Sequence, residues 1–220
     1  RMRYPAKNGG AGGNNTLFCI LCEELAKGLM SLAAITAMQC LMGSEFLFRF
    51  GSREQRKQHW EPNMRGERVS GFCLTEPDAG SDVSSLRTRA VYDEAKDEWV
   101  LNGEKAWITN AGVAGYFVVM AKTDPEAGKR GISAFIVPAD SPGLSVGVPE
   151  DKLGLRASRT APLVFEDCRV PAENILGREN GGVRVLMSGL DYERAVLAAG
   201  PVGIMQNCLD IVEPYIHQRK

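Results

Sequence analysis

Hydrophobic positions along the chain change their spacing twice, and the two changes divide it into three parts. From Thr16 to Met42 apolar residues recur every three or four positions. Leu17, Leu21, Leu25 (beside Glu24) and Leu29 share one helical face, with Asn15 or Thr16 placed to cap its start. Leu32–Met42 is apolar nearly all round, the pattern of a helix buried on several sides, and Gly43 is placed to break it. Ser52-Arg53-Glu54-Gln55 fits a capping box opening a short helix to about Trp60, after which Pro62 starts another turn. Past Gly66 the period shortens. Phe72–Leu74, Leu86–Tyr92, Trp99–Leu101, Lys105–Thr109, Phe117–Ala121, Ile132–Val137, Leu144–Val148 and Leu163–Phe165 are short runs rich in β-branched and aromatic residues. Turn signals such as Asn102-Gly103 and Ser141-Pro142-Gly143 separate them, which predicts about eight strands in an antiparallel barrel or sandwich. From Gly182 helical spacing returns and runs to Lys220, with Pro201 and Pro214 as candidate kinks.

The fold class expected is therefore α+β: N-terminal helices over 1–66, a central antiparallel β-barrel or sandwich domain over 67–176, and the start of a C-terminal helical bundle over 177–220. Arg1–Gly13 reads as a loop entered part-way, and the last helix stops at His217–Lys220 without a cap. Both ends look truncated.

Composition narrows the function classes. With 44% hydrophobic and 24% charged residues, 220 positions resemble an ordinary globular protein able to bury a substantial core. Lys+Arg 26 against Asp+Glu 27, with no basic run, argues against nucleic acid or an anionic membrane as main partner. No secretion signal is recognisable and no apolar run reaches about 18 residues, so no membrane span is expected. Cys19-x-x-Cys22 has the spacing of a zinc or redox pair. No second pair follows, and the only histidines are His59 and His217, so buried reduced thiols in a reducing compartment are expected and no metal site.

Two stretches carry candidate chemistry. Gly71–Ser84 (GFCLTEPDAGSDVS) starts as a strand and then breaks at Pro77, Asp78, Ala79 and Gly80, with Thr75, Ser81 and Asp82 beside the turn. It is either an ordinary surface turn or a loop holding a ligand through backbone N–H groups. The other is Glu193, which interrupts the apolar stripe Leu186, Leu190, Leu197, Ile204 and Cys208, while Asp191 and Arg194 point elsewhere. A carboxylate on an apolar face should have its pKa raised toward neutrality, as a base abstracting a weakly acidic C–H proton requires. The alternative is a Glu held by a structural arginine or a helix N-terminus.

Five stretches occur in the order and form of a known family: Tyr4–Gly13, Phe72–Asp82 (FCLTEPDAGSD), Asn102–Asn110 (NGEKAWITN), Phe165–Pro171 and Leu190–Arg194 (LDYER). On these the chain resembles the acyl-CoA dehydrogenase family, most closely its isovaleryl type. The resemblance implies FAD-dependent α,β-dehydrogenation of a short branched-chain, isovaleryl-like acyl-CoA, with a base taking the α-proton and flavin N5 the β-hydride. It implies a flavin wall of Phe72, Cys73, Leu74, Thr75, Gly80 and Ser81, with Trp107, Ile108 and Thr109 against the ring and Arg219 reaching FAD of a neighbouring subunit. Ser81 would also meet the CoA arm and Lys129 and Arg130 its phosphates. Arg184, Asp191, Tyr192 and Arg194 would bind the substrate around the base Glu193. Without the resemblance, Trp107 reads as plain core and Lys129-Arg130 as a solvated loop. An aromatic residue expected seven positions before Asp191 is Arg184 here, so a different acyl group, including a long-chain or terpenoid one, is the competing expectation. A non-catalytic flavin-fold relative is a third. The resemblance further implies electron-transferring flavoprotein as acceptor, a homotetramer, a part in leucine or fatty-acid breakdown, and a mitochondrial matrix or bacterial cytoplasmic location.

Overall fold

The inner strands read as unbroken apolar runs because the sheet is covered on both faces. A computed structural model describes residues 1–220. Seven strands are present: β1 (Ser70–Cys73), β2 (Arg89–Asp93), β3 (Glu98–Thr109), β4 (Tyr116–Lys122), β5 (Ile132–Pro138), β6 (Leu144–Val146) and β7 (Thr160–Pro171). They form one curled sheet in the order β1-β4-β2-β3-β7-β6, with β5 added on β4. Along β4, Tyr116, Val118 and Met120 enter a core shared with the helices, while Phe117, Val119 and Ala121 enter a second core made mostly of strand residues. Strand β5 alternates in the same way, with Ile132, Ala134 and Ile136 on the helical side and Phe135 and Val137 on the other.

The helices on the first face are α1 (Asn15–Gly28), α2 (Met30–Met38), α3 (Ser44–Phe50), the short α4 (Arg53–Gln55) and α5 (Glu61–Arg65), then α6 (Gly182–Leu197) and α7 (Ala199–Gln218). The cap of α1 is Asn14, whose side chain accepts from the Leu17 N–H at 3.0 Å, one position before the residues expected. The capping box at Ser52 is present, with both reciprocal bonds to Gln55. Gly43 does not break the chain. Gln39–Gly43 continues as a π-helical stretch, and a Cβ at Gly43 would meet Ser70 Oγ at 2.0 Å, so the glycine lets this helix touch β1. Pro62 and Pro201 lie just after the junctions of continuing helices, with Trp60 and Ala198 before them helical, and Pro214 lies inside α7, so none of the three ends a helix.

The α+β architecture is as expected, and the sheet differs in two details. Asn102-Gly103 is not a hairpin turn. The strand β3 runs straight through it, joining two of the expected runs, opposite a bulge at Glu166–Asp167 of β7 that reciprocal bonds between Asn102 and Asp167 hold (2.8 and 3.1 Å). Strand β1 also runs parallel to β4, which makes the sheet mixed rather than wholly antiparallel. Two helical stretches, Met30–Phe50 and Gly182–Gln218, are long and apolar enough by length and composition to cross a membrane. Neither is an unbroken apolar run, because polar residues interrupt both. The first is mostly buried as a core helix, and the second is two helices meeting at Ala198. All six cysteines are free; Cys22, Cys73 and Cys168 are buried, whereas Cys208 is exposed.

Candidate active site

Strand β1 can lie beside the end of β3 because residue 71 is glycine. A Cβ there would meet the Phe117 ring at 2.5 Å and the Thr109 carbonyl at 3.3 Å. Asn110 Nδ2 donates to the Ser70 carbonyl at 2.9 Å, and the Ala106 N–H donates to the Thr75 carbonyl at 2.9 Å. Thr75 is thereby bonded to the residue preceding Trp107. After Thr75 the chain closes a tight turn through paired bonds between Glu76 and Ala79 (2.9 and 3.1 Å) and continues over exposed Gly80 and Ser81.

What holds this loop is an ion pair that the sequence reading did not contain. Lys105 Nζ is fully buried and lies 2.7 Å from Glu76 Oε1, which is 4% exposed. The same ammonium donates to the Leu74 carbonyl at 3.2 Å, and the Glu76 carboxylate accepts from the backbone N–H groups of Arg87 (2.6 Å) and Thr88 (3.1 Å). Burial alone would raise the Glu76 pKa, yet the Lys105 charge and these hydrogen bonds hold it below the ordinary carboxylate value. A signal was available: Trp99, Leu101 and Lys105 fall on one face of β3 at even spacing, and a lysine on an inward face requires a carboxylate.

Trp107 stands out from the same strand. The register of β3 against β7 shifts between Lys105 and Ile108, both buried, and this second irregularity turns Trp107 outward at φ 56° with 63% of its surface exposed. A bulky residue at positive φ is strained, and an exposed indole held there is a flat apolar face without cover. Plain core burial of Trp107 is thus ruled out. Phe72, Leu74, Thr75 and Thr109 are half-buried beside it, whereas the Cys73 and Ile108 side chains point into the sheet core. The turn Pro125–Gly131 packs against Val83–Ser85, which brings exposed Lys129 and Arg130 to the edge that carries Ser81. A cavity of about 270 Å³ borders the loop at Glu76, Pro77 and Asp78, facing Arg87, Thr88 and Glu104, and larger ones of up to about 800 Å³ lie away from it.

Glu193 lies on α6 in line with Val185, Leu186, Gly189 and Val196, which are buried. The stripe continues in the same steps of three and four through Gly200 and Gly203 on α7, while Ile204 and Cys208 fall beside it and are exposed. Glu193 is half-buried. Desolvation raises its pKa above the ordinary value of 4.5, opposed only by the charge of Arg194. One turn before it, Gly189 lets α6 approach Phe46, since a Cβ would meet that ring at 2.7 Å. Phe46 in turn packs edge-on against Phe72 at 5.2 Å, so α6 and the loop's strand share one aromatic link.

The remaining predicted residues are distributed around this frame. The Tyr192 ring lies between the guanidinium groups of Arg3 (5.2 Å) and Arg49 (5.3 Å), both paired with buried Glu45. Arg184 stacks over Phe50 at 5.9 Å, and nine residues at 3.6 per turn place it roughly half a turn from Glu193. Asp191 and Arg194 are exposed. Arg219 follows α7 and bonds Tyr215 Oη at 2.6 Å, touching none of the other predicted residues. The uncovered indole, the two threonines beside it and the apolar strand behind them fit a planar aromatic cofactor such as a flavin ring.

Comparison with known proteins agrees with that fit. The acyl-CoA dehydrogenase N-terminal domain matches residues 1–67, the middle domain 71–168 and the C-terminal domain 180–220. Two mitochondrial proteins of Solanum tuberosum are similar over nearly the whole chain. The 2-methylacyl-CoA dehydrogenase is 46% identical over 98% of this chain and 52% of its own length. The isovaleryl-CoA dehydrogenase is 45% identical over 100% and 53%. The solved butyryl-CoA dehydrogenase of Megasphaera elsdenii has a TM-score of 0.95 and 36% identity, over 99% of this chain and 57% of that one. The chain thus spans about half the length of the curated relatives it matches. With all three family domains matched in order, the chain belongs to the acyl-CoA dehydrogenase family.

Proposed function

We propose that the whole protein dehydrogenates a short branched-chain acyl-CoA between Cα and Cβ, with FAD as cofactor and Glu193 as the base. The observation that carries this is a half-buried carboxylate without a pairing cation, on a helix that is packed through Phe46 onto the strand of the loop bearing Thr75. Phe72, Thr75, Trp107 and Thr109 would hold FAD, with Leu74, Gly80 and Ser81 completing that wall. When bound, FAD supplies the acceptor for the β-hydrogen. Glu193, ionised and poorly solvated, takes the α-proton onto its carboxylate, and its raised pKa makes it a stronger base for that weak carbon acid. Ser81, Lys129 and Arg130 would bind the CoA arm and its phosphates. Tyr192, stacked between two arginines, fixes the turn of α6 next to the base.

The branched C5 preference is supported by the isovaleryl and 2-methylacyl relatives. A straight-chain acyl group is the second reading, favoured by the likeness to the butyryl-CoA dehydrogenase. Electron-transferring flavoprotein as acceptor, a homotetramer with Arg219 reaching a neighbouring FAD, and a mitochondrial or bacterial cytoplasmic location complete the proposal on the family's pattern. Anaerobic mixing of the full-length protein with isovaleryl-, 2-methylbutyryl-, butyryl- and palmitoyl-CoA tests it. Fastest bleaching of the flavin absorbance by a branched C5 substrate is expected. Bleaching by none of the four would refute the activity, and preference for a straight chain would refute the specificity.

A further inference from the structure

The geometry points to Glu76 and Lys105 as a positioning pair for the cofactor wall, an inference that rests on the function just proposed. Lys105 is fully buried and Glu76 is 4% exposed, with its carboxylate oxygens taken up by Lys105 and two backbone amides, so the pair acts through its neighbours. Each is one or two residues from a group that does: Glu76 follows Thr75, and Lys105 precedes Trp107 by two. Their ion pair at 2.7 Å spans from the loop to β3, directly behind the backbone bond that joins the Thr75 carbonyl to the Ala106 N–H. The same two side chains bond the Leu74 carbonyl at the loop's entrance and the Arg87 and Thr88 amides at its exit. Entrance, exit and neighbouring strand are therefore fixed at one buried point, while the turn between them, Pro77–Asp82, is largely exposed.

A buried ion pair is a poor choice for stability alone, because apolar side chains of similar volume do as well or better. Its advantage is directional. Four charge-assisted contacts fix the height of Thr75 relative to Trp107 and oppose the strain of the Trp107 backbone. A slip of the loop along β3 would leave the lysine, the carboxylate, a carbonyl and two amides unpaired together.

The test uses the full-length protein carrying Glu76→Gln with Lys105→Met. Glutamine keeps one acceptor oxygen for the two amides and methionine fills the lysine's volume without leaving a buried charge, so the protein should remain folded with only a modest loss of melting temperature. The FAD dissociation constant should nonetheless rise about tenfold or more, with a shifted visible flavin band, because the link between loop and strand is gone. A double variant with wild-type FAD affinity and flavin spectrum would overturn the inference. Should the double variant fail to fold, Glu76→Gln alone is compared by amide hydrogen exchange. Faster exchange at Ala106, Arg87 and Thr88 with weakened FAD binding supports the inference, and unchanged FAD binding overturns it. A wild-type protein that binds no FAD would instead refute the functional reading, and this inference with it.

Discussion

Glu76 and Glu193 are both withdrawn from water, and the fold treats them in opposite ways. Glu76 is surrounded by donors: an ammonium at 2.7 Å and two backbone amides keep it ionised below the ordinary carboxylate range in spite of its burial. Glu193 is half-buried on an apolar stripe with only the charge of Arg194 to oppose desolvation, and its pKa rises. Burial alone therefore does not mark a reactive carboxylate in this molecule. The distinction lies in the partners. A carboxylate whose donors are all supplied fixes backbone, and one left without them has its lone pairs free for a proton.

The largest effect that could break this comparison is on activity. Glu193→Gln in the full-length protein should lower substrate-driven flavin reduction by about two to four orders of magnitude with FAD still bound, as loss of a general base does. Stopped-flow absorbance measures it, and near wild-type reduction would return Glu193 to a structural role. Next in size is Lys105→Met, which leaves a buried carboxylate without its cation and should cost about 3–5 kcal/mol of stability in urea unfolding. The pH dependence has opposite signs for the two groups. The Glu76 pKa is depressed, so its contribution is present above the ordinary value of 4.5 and lost as pH falls through the folded value. The Glu193 pKa is raised, so its contribution is full below 4.5 and lost as pH rises through the folded value. Acid unfolding should accordingly respond less to pH in Lys105→Met than in wild type.

Two smaller effects sharpen the picture. Gly189→Ala puts a Cβ 2.7 Å from the Phe46 ring and 3.1 Å from the Leu41 carbonyl, which should cost about 1–3 kcal/mol and slow catalysis more than it weakens FAD. Equal losses in both would show that the Phe46 link does not place Glu193. Trp107→Gly relieves a strained φ of 56° and should raise the melting stability of the FAD-free protein by about 1 kcal/mol while weakening FAD binding. Unchanged FAD affinity would remove Trp107 from the wall.

Much of this was legible in the chain because it is written locally. The two changes of hydrophobic period mark helices and sheet, Ser52 and Gln55 form the box their spacing announces, and Glu193 is conspicuous because three- and four-residue steps place it among leucines. The rest depends on segments far apart. The parallel pairing of β1 with β4 joins Ser70 to Tyr116, and Asn102-Gly103 carries the same turn signal whether the chain reverses there or runs on past a bulge in the strand opposite. Glu76 and Lys105 meet across 29 positions, and neither residue type announces the other. Assigning the Trp107 wall to a flavin needed the family resemblance, since exposure and positive φ show only that something flat is expected there. Ile204 and Cys208 lie off the buried face because that face follows Gly200 and Gly203, where the missing Cβ admits Met30 and the Glu23 carbonyl, a close approach that apolar spacing does not reveal.

The central claim is that an unpartnered, desolvated Glu193 is the base. Its most direct test is the pH dependence of kcat/KM for the full-length wild type beside Glu193→Gln. The wild-type profile should rise with pH through a single ionisation above the ordinary value of 4.5, and that limb should vanish in the residual activity of Glu193→Gln. The same limb persisting in Glu193→Gln would place the base elsewhere and contradict the account.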